Sequence, residues 1–464
     1  MLDERLTPAT PPPLARSLGV AGVLFLTLSV ATPASSVFVI IPGMLQVAGT
    51  GAVWALILAG IVCVATAFIY AELSSAWPVA GGEYVAVART LGPTAGFVML
   101  GVNVFNNLLF PPLMGLLVSD ILAVIIPGLP QVPIAIAFVA AAMLLALLNI
   151  RINAVVTGLF LLIEVIVVVV VLALGFGDRT RPIIDFLTHP VVAQGAALVP
   201  ASIASIGVAT SIAIFAFNGY GAAVYFGEEM HEAPRLIARA VLASLALTLI
   251  LVGIPVVAAL AGAVDLPALL AAPDPFGLLI RTRGNDGIAS WVSVGVVIAI
   301  FNAMVACILA CARFFYGTAR DGSWGRPVDR WLVAIHPRFH SPSTATIVVG
   351  LAGIACCFLP VALLTILSAT GLVAIYAGIA LAAIAGRRSG ATAHAQYRMP
   401  LYPIAPVLTL VALAGVVLVS WFDPEEGRPG LIVTAIQIAG SIAYYRLVLR
   451  RRGAWRVHIP GETA

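Results

Sequence analysis

The sequence predicts an all-α membrane protein with twelve transmembrane helices, and three observations predict it. Of 464 residues, 61% are hydrophobic and only 9% charged, with a mean hydropathy of +1.10, far outside the range of soluble domains. The chain repeats apolar stretches of about 20 residues, each long enough to span ~30 Å of hydrocarbon as a helix and too long for barrel strands. The first and sixth of these stretches are interrupted at matching places.

Residues 1–18 form a polar tail containing Pro11 to Pro13. The apolar stretch behind it is too long for the core of a cleavable signal peptide. Expected spans follow at 19–47, 52–76, 94–126, 132–149, 152–176, 203–230, 237–263, 288–319, 343–359, 362–385, 401–421 and 430–449. An even number of spans puts both termini on one side. All 24 basic residues are arginine, and these spans leave only Arg179, Arg181, Arg281, Arg283 and Arg428 on one face. By the positive-inside rule both termini are therefore expected in the cytoplasm. The net charge of +4 follows from that bias and implies no nucleic-acid partner.

The first span reads LTLSVATPASSVFVIIPG, broken at Thr32 to Ser36; the sixth reads SIAIFAFNGYGAAVYFGEE, broken at Asn218 to Gly221. An unpaired backbone group in hydrocarbon costs several kcal/mol, so a helix opens there only where protein, water or a ligand satisfies it. Breaks at corresponding places in two halves of a chain point to a transporter's binding site. Other chemistry finds little support. Cys63, Cys307, Cys311, Cys356 and Cys357 lie in apolar spans without histidine or carboxylate partners, and read as buried small residues. His336 and His340 are separated by Pro337, which breaks the helix they would need to share a metal. No nucleophile stands at catalytic spacing from a base, so no enzyme, metal or cofactor is expected.

Four stretches together resemble the amino acid/polyamine/organocation superfamily of secondary transporters. AELSSAWPVAGGEYVAVARTLGP (Ala71 to Pro93) is similar to its second-helix signature and FAFNGYGAAVYFGEEMHEAPRLIARA (Phe215 to Ala240) to its sixth. FYGTARDG (Phe315 to Gly322) resembles the end of its eighth helix, and RMPLYPIAP (Arg398 to Pro406) the lead into its eleventh. The resemblance implies a five-plus-five inverted repeat with broken helices 1 and 6. The expected organisation is a core over 19–386, with repeats at 19–177 and 203–386, two accessory helices over 387–449 and a cytoplasmic tail over 450–464.

Each break exposes amides at the start of one half-helix and carbonyls at the end of the other. The first attract a carboxylate and the second an ammonium, so two facing breaks suit an α-amino acid. The expected substrate residues are Thr32, Ala34, Ser35, Ser36, Phe215, Asn218, Gly219 and Tyr220. The family's usual Gly-Ser-Gly in the first break is Ala34-Ser35-Ser36 here, which narrows the pocket. Phe215 matches the family's aromatic lid. Polyamine carriers tend to have an acid near the sixth break where this chain has Gly221, which favours a zwitterion over a diamine, although Asp120 offers a more distant carboxylate. Asn103, Asn106 and Asn107 either face the site or bond helices together. Asn302 is a secondary candidate facing the first break.

Glu164 lies about twelve residues into the fifth span, ~18 Å of rise from its end, in FLLIEVIVVVVV. A lone carboxylate there costs ~2.5–3.5 kcal/mol, and desolvation favours its neutral form, so it suits a proton carrier. By its spacing from Asn149 it stands where several relatives carry a lysine and sodium-coupled members of the fold hold an ion. The alternative is a protonated side chain bonded to the first or eighth helix. Glu228, Glu229, Glu232, Arg235 and Arg239, with Glu83, Arg89, Arg151, Arg313 and Arg320, are expected on one face, either as gate ion pairs or as snorkelling charges. The expected function is uptake of a small amino acid across the inner membrane, coupled to a proton, with the bilayer and the substrate as partners. An exchanger of amino acids or amines and a transporter-like nutrient sensor are the alternatives.

Overall fold

Apolar surroundings leave a backbone no partner but itself, so the apolar runs close their own hydrogen bonds as helices. The computed structural model describes residues 14–122, 126, 128–195, 197–453 and 455–459, with the side chains of Asp120 and Ala369 excepted. Pro11 to Pro13 and the side chain of Asp120 thus lie outside the described residues.

The first half of the chain contains α1 (Val20–Ala31), α2 (Pro33–Ser35), α3 (Ile41–Ala48), α4 (Ala52–Ala76), α5 (Glu83–Leu91), α6 (Pro93–Leu122), α7 (Gln131–Ala146), α8 (Ile150–Gly177) and α9 (Ile184–Thr188). A hairpin of β1 (Val191–Gln194) and β2 (Ala197–Pro200) follows, and then α10 (Ile203–Ala216). A 3₁₀ run, Tyr220–Glu229, leads into α11 (Ala233–Gly262), α12 (Leu266–Ala271), α13 (Pro275–Arg283), α14 (Asp286–Arg320) and α15 (Arg326–Leu332). The last helices are α16 (Ser343–Cys356), α17 (Val361–Ala369), α18 (Gly371–Ser389), α19 (Ile404–Phe422) and α20 (Gly427–Tyr444).

Among the described residues nine helical runs are long and apolar enough to cross a membrane, and α7 and α16 are shorter apolar helices. The first run, Val20–Ala76, passes from α1 to α4 through a 3₁₀ turn at Gly49–Gly51. α14 is the most enclosed run, with 83% of its apolar window buried. It packs against α1, α6, α7 and α8. α11 crosses α4 and α8, and the crossing with α8 is close because both helices present glycine: a Cβ on Gly175 would stand 2.4 Å from the Ala258 carbonyl oxygen, and one on Gly262 2.5 Å from that of Gly175. α19 and α20 are peripheral, with only 22% and 17% of their windows buried.

Three connections carry structure that hydropathy alone does not predict. Asp265 accepts the Ala268 amide at 3.0 Å and Asp274 accepts that of Gly277 at 2.8 Å, so each caps a short helix that has proline in its first turn. The hairpin pairs Val191 with Pro200 and Gln194 with Ala197. Thr50 ties it to the bend before α4, accepting the Val191 amide at 2.8 Å. The expected tenth span is divided at Thr370, between α17 and α18.

The last described residues of the chain are strapped across the arginine-rich end. Trp455 is buried against Phe97 and Tyr84, and its indole donates to Ser323 at 3.1 Å. The His458 amide donates to Asp321 at 2.8 Å, and Arg89 reaches the Val457 carbonyl at 3.3 Å. Tyr84 also donates to Asp321, at 2.7 Å. Burial pushes the Asp321 carboxyl up from 3.8 to about 7, against the pull of Tyr84, the His458 amide and Arg320, while Glu228 adds to the rise. A carboxyl raised in the folded state favours folding fully only below its unfolded value, and this contribution is lost as pH climbs through about 7. The thermal midpoint in detergent is therefore expected to fall between about pH 5 and about pH 7.5, and to fall less in Asp321→Asn. Equal slopes in the two proteins would remove Asp321 from this account.

Candidate functional site

α1 stops at Thr32, whose backbone is left-handed at φ 39° and ψ 70°. For a β-branched residue this is an outlier, of the kind that costs ~1–3 kcal/mol and persists only where its surroundings hold it. Pro33 then opens a new helical turn, a position that needs no backbone N–H. The break is thus narrower than the five residues expected, because Pro33–Ser35 are helical again and Ser36–Ile40 form a π turn. Local hydroxyls close it: Thr32 donates to Ser35 at 2.7 Å and to the Ala299 carbonyl at 3.4 Å, and Ser36 to the Ala31 carbonyl at 3.4 Å.

The sixth span breaks at Phe217 to Gly219, where α10 has ended and Gly219 stands at φ +120°. The two breaks touch. A Cβ on Gly219 would lie 2.3 Å from the Ala31 Cα and 2.5 Å from its nitrogen, so only glycine fits.

At this junction begins a cavity of about 1020 Å³ of unfilled space, part of it continuous with the outside. Thr32, Ser35, Ser36, Phe215, Asn218 and Gly219 line it. It continues past Val39, Ile40, Leu113 and Met114, away from the arginine-rich end. Asn106 and Asn107 also face it. Two expected residues stand behind the wall. Ala34 lies beside Glu164, and the Tyr220 ring packs edge-on to Tyr70 at 5.9 Å and tilted on Tyr376 at 6.4 Å. Tyr376 in turn donates to Asn218 at 2.9 Å.

Glu164 is buried directly behind the first break rather than in the cavity wall. Asn302 donates from one amide nitrogen to Glu164 at 2.9 Å and to Ser29 at 3.0 Å, and Thr32 lies alongside. Glu164 Oε2 and Asn302 Oδ1 are buried with no hydrogen-bond partner among the described residues. Asn103 does not face the cavity directly; it donates to Glu83 at 3.2 Å.

Glu83 departs most from its expected place. Instead of lying on the arginine-rich face it forms part of the cavity floor, accepting from Tyr225 at 2.7 Å and from Tyr70 at 2.9 Å. Tyr70, Tyr225 and Tyr376 are the site residues that pattern reading passes over. One signal for Glu83 was present: it falls four residues before Val87, on the apolar side of an amphipathic helix.

Below that floor the arginine-rich end is shut by buried ion pairs. Arg313 binds Glu229 through two nitrogens, the Nη2 bond measuring 3.0 Å, and both side chains are 1% exposed. Arg320 grips Glu228 at 2.6 and 2.9 Å. The amides of Ser17 and Leu18 donate to the Glu229 carbonyl, each at 2.8 Å, which fastens the start of α1 to the end of the 3₁₀ run. Glu72, buried in α4, is held by Arg387 at 2.6 Å through both oxygens.

A sequence model described as amino acid permease matches residues 18–442. The methylthioribose transporter of Bacillus subtilis (strain 168) is 26% identical, over 86% of each chain. The branched-chain amino acid permease BcaP of the same strain is 22% identical over 86% of each. The low-affinity putrescine importer PlaP of Escherichia coli (strain K12) is 25% identical over 61% of this chain and 62% of its own.

Removing one partner of a buried ion pair strands the other at a cost of ~3–5 kcal/mol, while replacing both is often tolerated. Arg313→Met is therefore expected to lower the yield of folded protein and its thermal midpoint sharply. Adding Glu229→Met should recover most of the loss. A single variant as stable as the wild type would contradict the pair's burial.

Proposed function

The chain belongs to the amino acid permease family of multi-pass membrane transporters, and on that premise we propose that it imports a small zwitterionic amino acid by alternating access, coupled to a proton on Glu164. The observation that carries this reading is the contact of the two breaks at the head of the cavity. There the helical run from Pro33 to Ala48 presents its amide end, and α10 its carbonyl end at Ala216. A carboxylate is favoured at the first and an ammonium at the second. The named relatives differ in substrate, so kinship alone does not select one; the opposed poles of the cavity favour a molecule that carries both charges.

Glu164 supplies a physical route to coupling. It lies beside the amide of Ala34, at the positive end of the same helical run that would attract the substrate carboxylate. Ionised, it occupies that field and repels a second carboxylate. Protonated, it leaves the field to the substrate, so proton and substrate favour each other's binding, as linkage requires. The unpartnered Oε2 of Glu164 supports the reading, since a proton can be added there without displacing a hydrogen bond from the described residues.

The arrangement goes with twelve spans, the run Val20–Ala76 counting as two and α7 and α16 as one each. It also goes with the five-plus-five repeat whose first helices are the broken ones. The arginine bias supports an orientation with the closed end and both termini in the cytoplasm, in the inner membrane of the cell. In that orientation the cavity faces the outside, ready to load.

Proteoliposomes with an imposed pH gradient, offered a panel of neutral and basic amino acids and diamines, test the reading. The wild type is expected to accumulate a small neutral amino acid, and Glu164→Gln to lose gradient-driven accumulation while still equilibrating the substrate. Unchanged accumulation by Glu164→Gln excludes the proton role, and uptake of a diamine but of no amino acid excludes the substrate class.

A further inference from the structure

Most of the buried carboxylates on the arginine-rich side of the cavity have a guanidinium: Glu72 has Arg387, Glu228 has Arg320 and Glu229 has Arg313. Glu83 differs. Its residue is 5% exposed, and the three side chains bonded to it are neutral. Tyr225 and Asn103 donate to Oε2 at 2.7 and 3.2 Å, and Tyr70 donates to Oε1 at 2.9 Å. Asn107 donates to the Tyr225 oxygen at 3.0 Å, so the tyrosine's own proton is directed at Glu83. Three convergent donors suit an ionised carboxylate, which is acceptor only. They spread its charge without neutralising it. Burial pushes the carboxyl up from its ordinary range, against the pull of the hydrogen bonds from Tyr225, Tyr70 and Asn103. A cation arriving beside it would relieve that cost.

The placement of Glu83 says where such a cation comes from. The central cavity lies on one side of it. On the other lies a smaller space of about 260 Å³, bordered by Trp77, Gly82 and Val224. Glu83 and Tyr70 are the two residues that line both. Anything moving from the breaks to the arginine-rich end by this route must pass the carboxylate. The glutamates beyond it, Glu228 and Glu229, are each held by an arginine, Arg320 and Arg313, and present no free carboxylate to a passing cation.

We propose that Glu83 is the substrate's ammonium receptor on the inner side of the site, which makes a protonated amine an obligatory part of the substrate. This rests on the importer reading and deepens it. The substrate's ammonium first meets the carbonyl end of α10 at the sixth break and is then handed to Glu83 as the floor opens, with Tyr70 and Tyr225 turning aside. Glu83 thus supplies the acid that Gly221 withholds from the sixth span.

The experiment compares wild type, Glu83→Gln and Glu83→Asp, each full length in proteoliposomes. Uptake is measured with the amino acid the wild type accumulates, in competition with its deaminated hydroxy-acid analogue, and thermal midpoints are recorded alongside. Losing a hydrogen bond to a charged group changes recognition by about 10- to 100-fold. The wild type is expected to prefer the amine, Glu83→Gln to lose about that much of the preference through a raised KM, and Glu83→Asp to keep part of it. The ratio of two ligands in one protein is insensitive to how much of that protein folds, and Glu83→Asp carries the test if the glutamine variant is unstable. An unchanged preference overturns the proposal. So does a variant that binds the amine normally and loses only gradient-driven accumulation, which would make Glu83 a proton site. A wild type that transports no member of the panel overturns the importer reading and the proposal together.

Discussion

Gly219 approaches Ala31 so closely that no side chain fits between them, and the centre of the molecule is organised around that contact. In hydrocarbon a helix cannot simply stop, because each exposed amide or carbonyl there costs several kcal/mol. Here the first span is interrupted for a single residue, Thr32, and the sixth for the three from Phe217 to Gly219. Bringing the two together packs each against the other, while their amides bond within their own segments, Ser36 to the Thr32 carbonyl and Ala222 to that of Gly219. Ser36 donates to the Ala31 carbonyl and Thr32 to Ser35 and to the Ala299 carbonyl, and all three hydroxyl residues line the cavity. A larger residue at 219 would part the two spans and expose both.

The same contact explains why the two ends of the molecule differ. Beyond the breaks, on the arginine-poor side, the walls are apolar and the cavity stays open past Leu113 and Met114. On the other side the 3₁₀ run carries Glu228 and Glu229 directly onto Arg320 and Arg313 of α14, and Glu229 also holds the start of α1 through its carbonyl. Three elements are therefore latched at one point. The strap formed by Trp455 to His458 lies over the same corner, since Arg320 also reaches the His458 carbonyl at 3.4 Å. Buried pairs of this kind add little net stability, but breaking one without its partner is expensive.

The breaks were legible in the sequence because proline and paired glycines interrupt an otherwise uniform apolar pattern. Glu164 was legible for the converse reason, a single charge in an apolar run. Asn302 stands out in the sequence as a candidate facing the first break, and a bond from Glu164 to the eighth span is one of its two expected settings; that the two residues meet each other depends on how α8 and α14 cross, which no local pattern records. Glu83 is expected on the arginine-rich face because its charge groups it with the neighbouring arginines and glutamates. The turn at Pro78 to Gly82 instead folds α5 back under the cavity, and the side chain points inward. The hairpin at Val191–Pro200 and the strap at Trp455 rest on contacts far apart in sequence, with Thr50 and with Ser323, so periodicity carried no trace of them.

Three buried glutamates near the centre show how partners decide what a carboxylate can do. Glu229 faces the guanidinium of Arg313 and is bound by two of its nitrogens. Glu164 faces a neutral amide and the amide end of a helical run, and one of its oxygens has no hydrogen-bond partner among the described residues. Glu83 faces three neutral donors, which spread the charge of a carboxylate without neutralising it, and no guanidinium is bonded to it among the described residues. From the arginine-rich end inward, the partners of these glutamates thus pass from a guanidinium through three neutral donors to the amide end of a helical run behind the break. The same side chain meets three different surroundings, and the proposed roles of gate, receptor and coupling site rest on that difference alone.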